Sequence, residues 1–217
     1  MKIPMMSLSL FFSLTSTMFI FMFLVNLWFP GYAAAAALVE NETDKLSLLA
    51  QRVTNLNLSW KKLAGMLSSY VGNFSFMNLL DLSGNSFHGD IPSEFGNLRK
   101  IQNLNLSNNL LHGDIPVSLT NYSILQYLAL EQNHLTGPVT PEFGSFSKLT
   151  KLNFGSNNLS GSVLASLGNL TSLQEVDMSY NNLKGTIPES FSNASNLRSI
   201  ELIGNNFTGK VLEFRQA

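Results

Sequence analysis

The chain has 217 residues, of which 45% are hydrophobic and only 12% charged, which suits one domain with a sizeable core plus a targeting segment. A formal charge of −1 and the absence of any Lys or Arg cluster argue against nucleic acid as a partner and against an anionic membrane surface. With no cysteine, disulfides, thiol catalysis and thiolate metal sites are excluded.

Residues 1–37 hold a single early charge at Lys2, an apolar run from about Leu8 to Phe29, then Pro30-Gly31 and the small residues Ala33 to Ala37. This reads as a secretory signal peptide cleaved near Ala35 to Ala37. The apolar run is longer than a usual signal core and nearly long enough to span a bilayer, so an uncleaved signal anchor is the competing reading. Membrane attachment is expected only through such an uncleaved leader. In residues 38–52, Thr43 or Asp44 is placed to cap a short helix carrying Leu46, Leu48 and Leu49.

From Val53 onward the chain falls into rows of 24 residues without insertions, six full rows and a truncated seventh ending at Ala217. Such a period is the signature of a solenoid. Column four (Leu56, Leu80, Leu104, Leu128, Leu152, Val176, Ile200) and column six (Leu58, Leu82, Leu106, Leu130, Phe154, Met178, Leu202) are apolar in every row. Their spacing of two predicts a short strand with one buried face, paired in parallel with the same strand of the next row. Column nine is Asn from row two onward (Asn85, Asn109, Asn133, Asn157, Asn181, Asn205), placed where the coil leaves the strand and buried backbone groups need partners. Column thirteen is Gly in all seven rows, from Gly65 to Gly209, and predicts a turn that a Cβ would obstruct. Columns eleven, fifteen, nineteen and twenty-two supply the core from the other side. Pro92, Pro116 and Pro188 in column sixteen predict an extended, non-helical return.

The row reads L-x-x-L-x-L-x-x-N-x-L-x-G-x-I-P-x-x-x-x-x-L-x-x, which resembles the plant-type leucine-rich repeat of receptor-like kinases and receptor-like proteins. Stretches such as IPSEFGNLRKIQNLNLSNN and LGNLTSLQEVDMSYNNLKGTIP are most similar to the ectodomains of plant immune receptor kinases. The resemblance implies an α/β fold class, a curved right-handed coil of about seven repeats with a parallel β-sheet on its concave face and 3-10 or irregular structure on its convex side. It also implies an extracellular module for recognition in defence or development, secreted or facing outward at the plasma membrane, with a peptide or protein ligand and a leucine-rich-repeat co-receptor as partners. Two alternatives stand beside this: a secreted inhibitor of a cell-wall hydrolase, and a non-functional receptor gene fragment. The chain departs from the family where LSLLA runs straight into QRVTNLNL, without the longer helical stretch, the Trp and the cysteine pair of the usual cap; the kinase domain of full-length relatives is also missing. Terminal coils lacking caps are expected to leave Val53, Leu56 and Leu58 poorly covered and the stack prone to self-association.

Sequons for N-glycosylation occur at Asn41, Asn57, Asn73, Asn105, Asn121, Asn158, Asn169, Asn193 and Asn206, and as a set they agree with secretion.

Catalytic chemistry finds little support, and no enzyme activity, cofactor, nucleotide or metal is expected. The histidines His88, His112 and His134 lie in no order that a solenoid brings together as a triad. The repeated HGDIP of rows two and three, read at a uniform period of 24, places His88 beside His112 and Asp90 beside Asp114. Asp177 and Glu201 share column five of adjacent rows, at a strand spacing of about 4.8 Å that is near the carboxylate separation of retaining glycosidases; a solvated acidic strip is the preferred reading.

What remains is a binding surface. Columns three, five, seven and eight are expected to project from the concave face. Rows two and three offer small polar residues there: Asp81, Ser83, Gly84, Asn103, Asn105, Ser107 and Asn108. Rows four to seven offer the candidate ligand-binding residues Tyr127, Glu131, Lys151, Glu175, Asp177, Tyr180 and Glu201, together with Gln132. Aromatic and charged groups of this kind are the usual substance of recognition hot spots.

Overall fold

The computed structural model describes residues 53–163 and 165–209. The proposed leader, the proposed cap helix, Asn41 and residues 210–217 lie outside the described residues. Successive coils contribute β1 (Asn55–Asn57) and β2 (Ala64–Met66), β3 (Leu79–Asp81) and β4 (Ser86–Asp90), β5 (Asn103–Asn105) and β6 (Leu110–Asp114), β7 (Tyr127–Ala129) and β8 (His134–Thr136). They continue with β9 (Lys151–Asn153), β10 (Glu175–Asp177) and β11 (Lys184–Gly185), and β12 (Ser199–Glu201) and β13 (Asn206–Phe207).

The first strand of each coil joins one seven-stranded parallel sheet in the order β1-β3-β5-β7-β9-β10-β12. Its register follows the row length: Leu56 faces Leu80, Leu80 faces Leu104, and Val176 faces Ile200. The period-two pattern puts Leu80, Leu82, Leu104, Leu106, Leu128 and Leu130 fully inside. On the far side each of the first six coils turns through a five-residue 3-10 helix, for example Ser93–Asn97, Val117–Asn121 and Pro141–Ser145. Phe95, Leu119, Phe143 and Leu167 of these turns close the core from below. Phe143 packs edge-on against both Phe146 and Phe154, with centroids 5.6 and 5.7 Å apart. These are the 3-10 turns that the resemblance implied for the convex side, and they correct only the expectation of a wholly non-helical return after the column-sixteen prolines. Pro92 is itself extended (φ −62, ψ 138) but serves as the N-cap of a 3-10 helix, where its missing N–H costs nothing.

A second corner of the coil carries the four-stranded sheet β2-β4-β6-β8 and the pair β11-β13, bridged at Pro138 to Ser160 and at Ser162 to Lys184. Its register is not that of the first sheet. Met66 faces His88, His88 faces Leu110, Asp90 faces His112 and His112 faces His134. The expected pairs His88 with His112 and Asp90 with Asp114 are therefore absent. Partners here are 22 residues apart, and the column-nine asparagines enforce the slip. The Oδ1 of Asn109 accepts the Phe87 N–H, 22 residues back, at 3.0 Å, while its Nδ2 donates to the Leu82 and Leu106 carbonyls at 3.0 Å and to Ser107 at 3.1 Å. Asn85, Asn133, Asn157, Asn181 and Asn205 repeat this bridge. Column thirteen turns at positive φ in every coil, from Gly137 at 71° to Gly65 at 124°, as its invariance within the chain implied.

Candidate ligand-binding groove

Column three of the first sheet brings Tyr127 against Lys151 and Lys151 against Glu175, and column five brings Asp177 against Glu201. These five residues line one groove of about 520 Å³, together with Asn103, Gln126, Thr150, Asn153 and Ser199. Three carboxylates and one ammonium give the groove a net negative charge. Lys151 Nζ lies 2.8 Å from Glu175 Oε2, with both side chains about half exposed (47% and 46%). Such a pair contributes roughly 0–1 kcal/mol and neutralises the lysine locally. Glu201 is exposed and forms no ion pair among the described residues. The Tyr127 phenol is held above its ordinary pKa, first by burial and then by Glu131, Asp81 and Glu175, so it enters any interaction as a neutral donor.

Asp177 has a dual position. Its Oδ1 accepts the Ser179 N–H at 2.8 Å and the Ser179 hydroxyl at 2.6 Å, closing a local turn. The same turn is made by Asp81 with Ser83, Asn57 with Ser59, Asn105 with Ser107 and Asn153 with Gly155. Column five is thus largely a structural Asx position, and column seven is drawn inward by it. Ser83 and Ser179 are buried and Ser107 is only 2% exposed, which corrects at these serines the expectation that column seven projects from the face, whereas Ile203 of the same column is 67% exposed. Ala129, in column five of coil four, is buried as well.

Two of the candidate residues stand apart from the groove. Glu131 accepts a hydrogen bond from Asn153 Nδ2 and so supports a groove-lining residue from outside. Tyr180 is 59% exposed and sits in the left-handed region at φ 50, its ring against Gly204 of the next coil. Column eight is left-handed in every coil, at Trp60, Gly84, Asn108, Gln132, Ser156, Tyr180 and Gly204, and its two glycines lie under the rings of Trp60 and Tyr180. Sequence reasoning passed over Gln126 and Thr150; the signal was column two, which is polar in every row because its residues lead into the strand from outside the core. Asn103, among the small polar residues of rows two and three and outside the candidate set, also lines the groove.

The family model described as Leucine Rich Repeat matches residues 77–98, 100–122, 148–170 and 172–194. Among solved structures, the leucine-rich-repeat ectodomain of the plant membrane receptor kinase GASSHO1/SCHENGEN3 from Arabidopsis thaliana, in complex with CASPARIAN STRIP INTEGRITY FACTOR 2, is similar at 33% identity and a TM-score of 0.74. The match covers 77% of this chain and 20% of that one. The Arabidopsis receptor kinase HAESA, in complex with the peptide hormone IDA and the co-receptor SERK1, is similar at 35% identity over 70% of this chain and 26% of its own, with a TM-score of 0.67. A plant ice-binding protein is similar at 28% identity over 74% of this chain and 53% of its own, with a TM-score of 0.66. The chain therefore spans between about a fifth and about half the length of these structures. No curated protein sequence matches it.

Proposed function

The chain is a leucine-rich-repeat solenoid of the plant receptor-ectodomain kind, and we propose that its concave groove binds an extended peptide, or an exposed loop of a protein, outside the cell. The observation that carries this reading is the groove itself, where Tyr127, Lys151, Glu175, Asp177 and Glu201 converge on one side of the sheet. A ligand with a basic or amide-rich group fits it best. Asp177 and Glu201 are lateral neighbours with no basic residue in their column, and like charges so placed are destabilising by some tenths of a kcal/mol up to about 1. A cationic group relieves that repulsion. Tyr127 adds a rigid, partly buried surface beside it, and fixing a tyrosine costs little conformational entropy. HAESA, solved with both a peptide and a co-receptor, motivates a second leucine-rich-repeat chain as a further partner.

The test uses synthetic ten-residue peptides that are basic, amide-rich or acidic, measured by titration calorimetry on the secreted chain. Basic and amide-rich peptides are expected to bind, more weakly as salt rises. Asp177→Asn combined with Glu201→Gln keeps the Asx turn acceptor at position 177 while removing both charges; it is expected to weaken binding at least tenfold and flatten the salt dependence. Asn55→Ala, on the first strand and outside the groove, is expected to leave binding unchanged. Equal affinity of both variants for the basic peptides would place the site elsewhere.

A further inference from the structure

The sequons do not occupy equivalent places in the coil, and the structure separates them. Asn73, Asn121 and Asn169 each form the last residue of a 3-10 turn, over Ser69–Asn73, Val117–Asn121 and Ala165–Asn169. In each sequon the middle residue is an anchor buried in the core: Phe74 is 4% exposed, Tyr122 1% and Leu170 3%. The flanking Asn and its hydroxyl residue, Ser75, Ser123 or Thr171, are exposed. None of the three asparagine side chains has a hydrogen-bond partner among the described residues. These three sites recur every second coil, so they stand about 10 Å apart, two strand spacings; a fourth sequon, at Asn193, ends the turn Glu189–Asn193 of the coil after Asn169.

Asn105 is the opposite case. It lies half-buried on the concave face, its Oδ1 accepts the Ser107 N–H at 3.1 Å, and the Ser107 hydroxyl of its own sequon is enclosed. In register it faces Ala129, one pleat from Tyr127 at the edge of the groove. Asn158 is engaged differently, its Oδ1 accepting from Asn182 Nδ2.

We propose that the folded chain carries its N-glycans on the 3-10 side, at Asn73, Asn121 and Asn169, and that Asn105 stays bare. The co-reactant is the lipid-diphosphate-linked oligosaccharide of the secretory pathway. The asparagine Nδ2 forms a C–N bond to the reducing-end sugar carbon, the lipid diphosphate departs, and the amide gives up one proton. Glycans so placed cover the convex turns and leave the groove open. The proposal rests on the extracellular reading but not on the identity of any ligand.

The test expresses the full chain in plant cells and maps occupied asparagines by peptide mass spectrometry after enzymatic deglycosylation in heavy-oxygen water, which marks each released site. Occupancy above half at all three turn sites and below a tenth at Asn105 is expected. Substantial occupancy at Asn105, or occupancy at fewer than two of the turn sites, overturns the proposal while leaving peptide binding to be measured independently. Complete absence of glycan overturns it together with the extracellular reading. The triple variant Asn73→Gln, Asn121→Gln, Asn169→Gln is expected to lose most of the glycan mass and to bind the basic peptides as the wild type does. Mapping on the wild type decides the question even if that variant folds poorly.

Discussion

Coils two and three and coils four to seven present the same backbone to the concave side, yet their polar side chains are in different states. In the earlier coils the column-five side chains are already engaged: Asp81 Oδ1 accepts the Ser83 N–H and hydroxyl, Asn105 Oδ1 accepts the Ser107 N–H, and both serines are buried. In the later coils Lys151, Glu175 and Glu201 are anchored only by a half-exposed ion pair or not at all, and they border an open groove. A polar residue on a solenoid face therefore signals recognition only when its atoms remain available after the turn beside it has closed. Asp177 belongs to both classes, with one oxygen in the turn and its carboxylate on the groove wall.

The comparison breaks most sharply at the fully engaged end. Asn109→Ala removes a buried side chain that satisfies three carbonyls and one N–H across two coils. Stranding these groups is expected to cost about 3 kcal/mol or more in urea unfolding, with residual folded protein still binding basic peptides. A loss below 1 kcal/mol would show that the ladder is dispensable.

Tyr122 gives the next largest effect. Its hydroxyl donates to the Phe95 carbonyl at 2.6 Å, and burial pushes its pKa far above the ordinary value of 10.0. Because the folded-state pKa is raised, this tyrosine's contribution is complete below pH 10 and is lost as pH rises above it, where the unfolded chain ionises and the folded chain does not. Tyr122→Phe is expected to destabilise by about 1–2 kcal/mol at pH 7 through the stranded carbonyl. It is also expected to soften the alkaline decline, so that the two proteins converge in melting temperature above pH 10.

A third experiment sharpens the boundary at column five. Asp81→Ala and Asp177→Ala each lose an Asx turn and are expected to cost about 1 kcal/mol, whereas Asp177→Asn keeps the acceptor and is expected to lie within about 0.5 kcal/mol of wild type. Thermal melts of the three variants distinguish the turn from the charge. The smallest effect belongs to the groove: Lys151→Gln breaks the pair with Glu175 and is expected to change stability by less than about 0.5 kcal/mol. The same change makes the groove more negative and is expected to tighten basic peptides severalfold at low salt.

The amino-acid sequence by itself determined the coil. Leu80, Leu82, Leu104 and Leu106 recur at fixed columns because a strand alternates its faces every second residue. The glycines of column thirteen recur because that turn has positive φ, which no β-carbon tolerates cheaply. The candidate groove residues of columns three and five were legible for the same reason, since the first sheet pairs at the row length. What only the tertiary structure decided is how the second ladder aligns and which polar atoms are left over. A slip from 24 to 22 residues keeps Phe87, Leu111 and Leu135 facing inward, because two residues are one full period of the strand, so no apolar pattern records it. It took the amides of the asparagine ladder, each reaching back into the preceding coil, to set Asp90 against His112 rather than Asp114. Likewise the choice between a bare carboxylate and one folded into a turn depends on whether a backbone N–H two residues on comes within reach, which is a property of the bend after the strand and not of the residue itself.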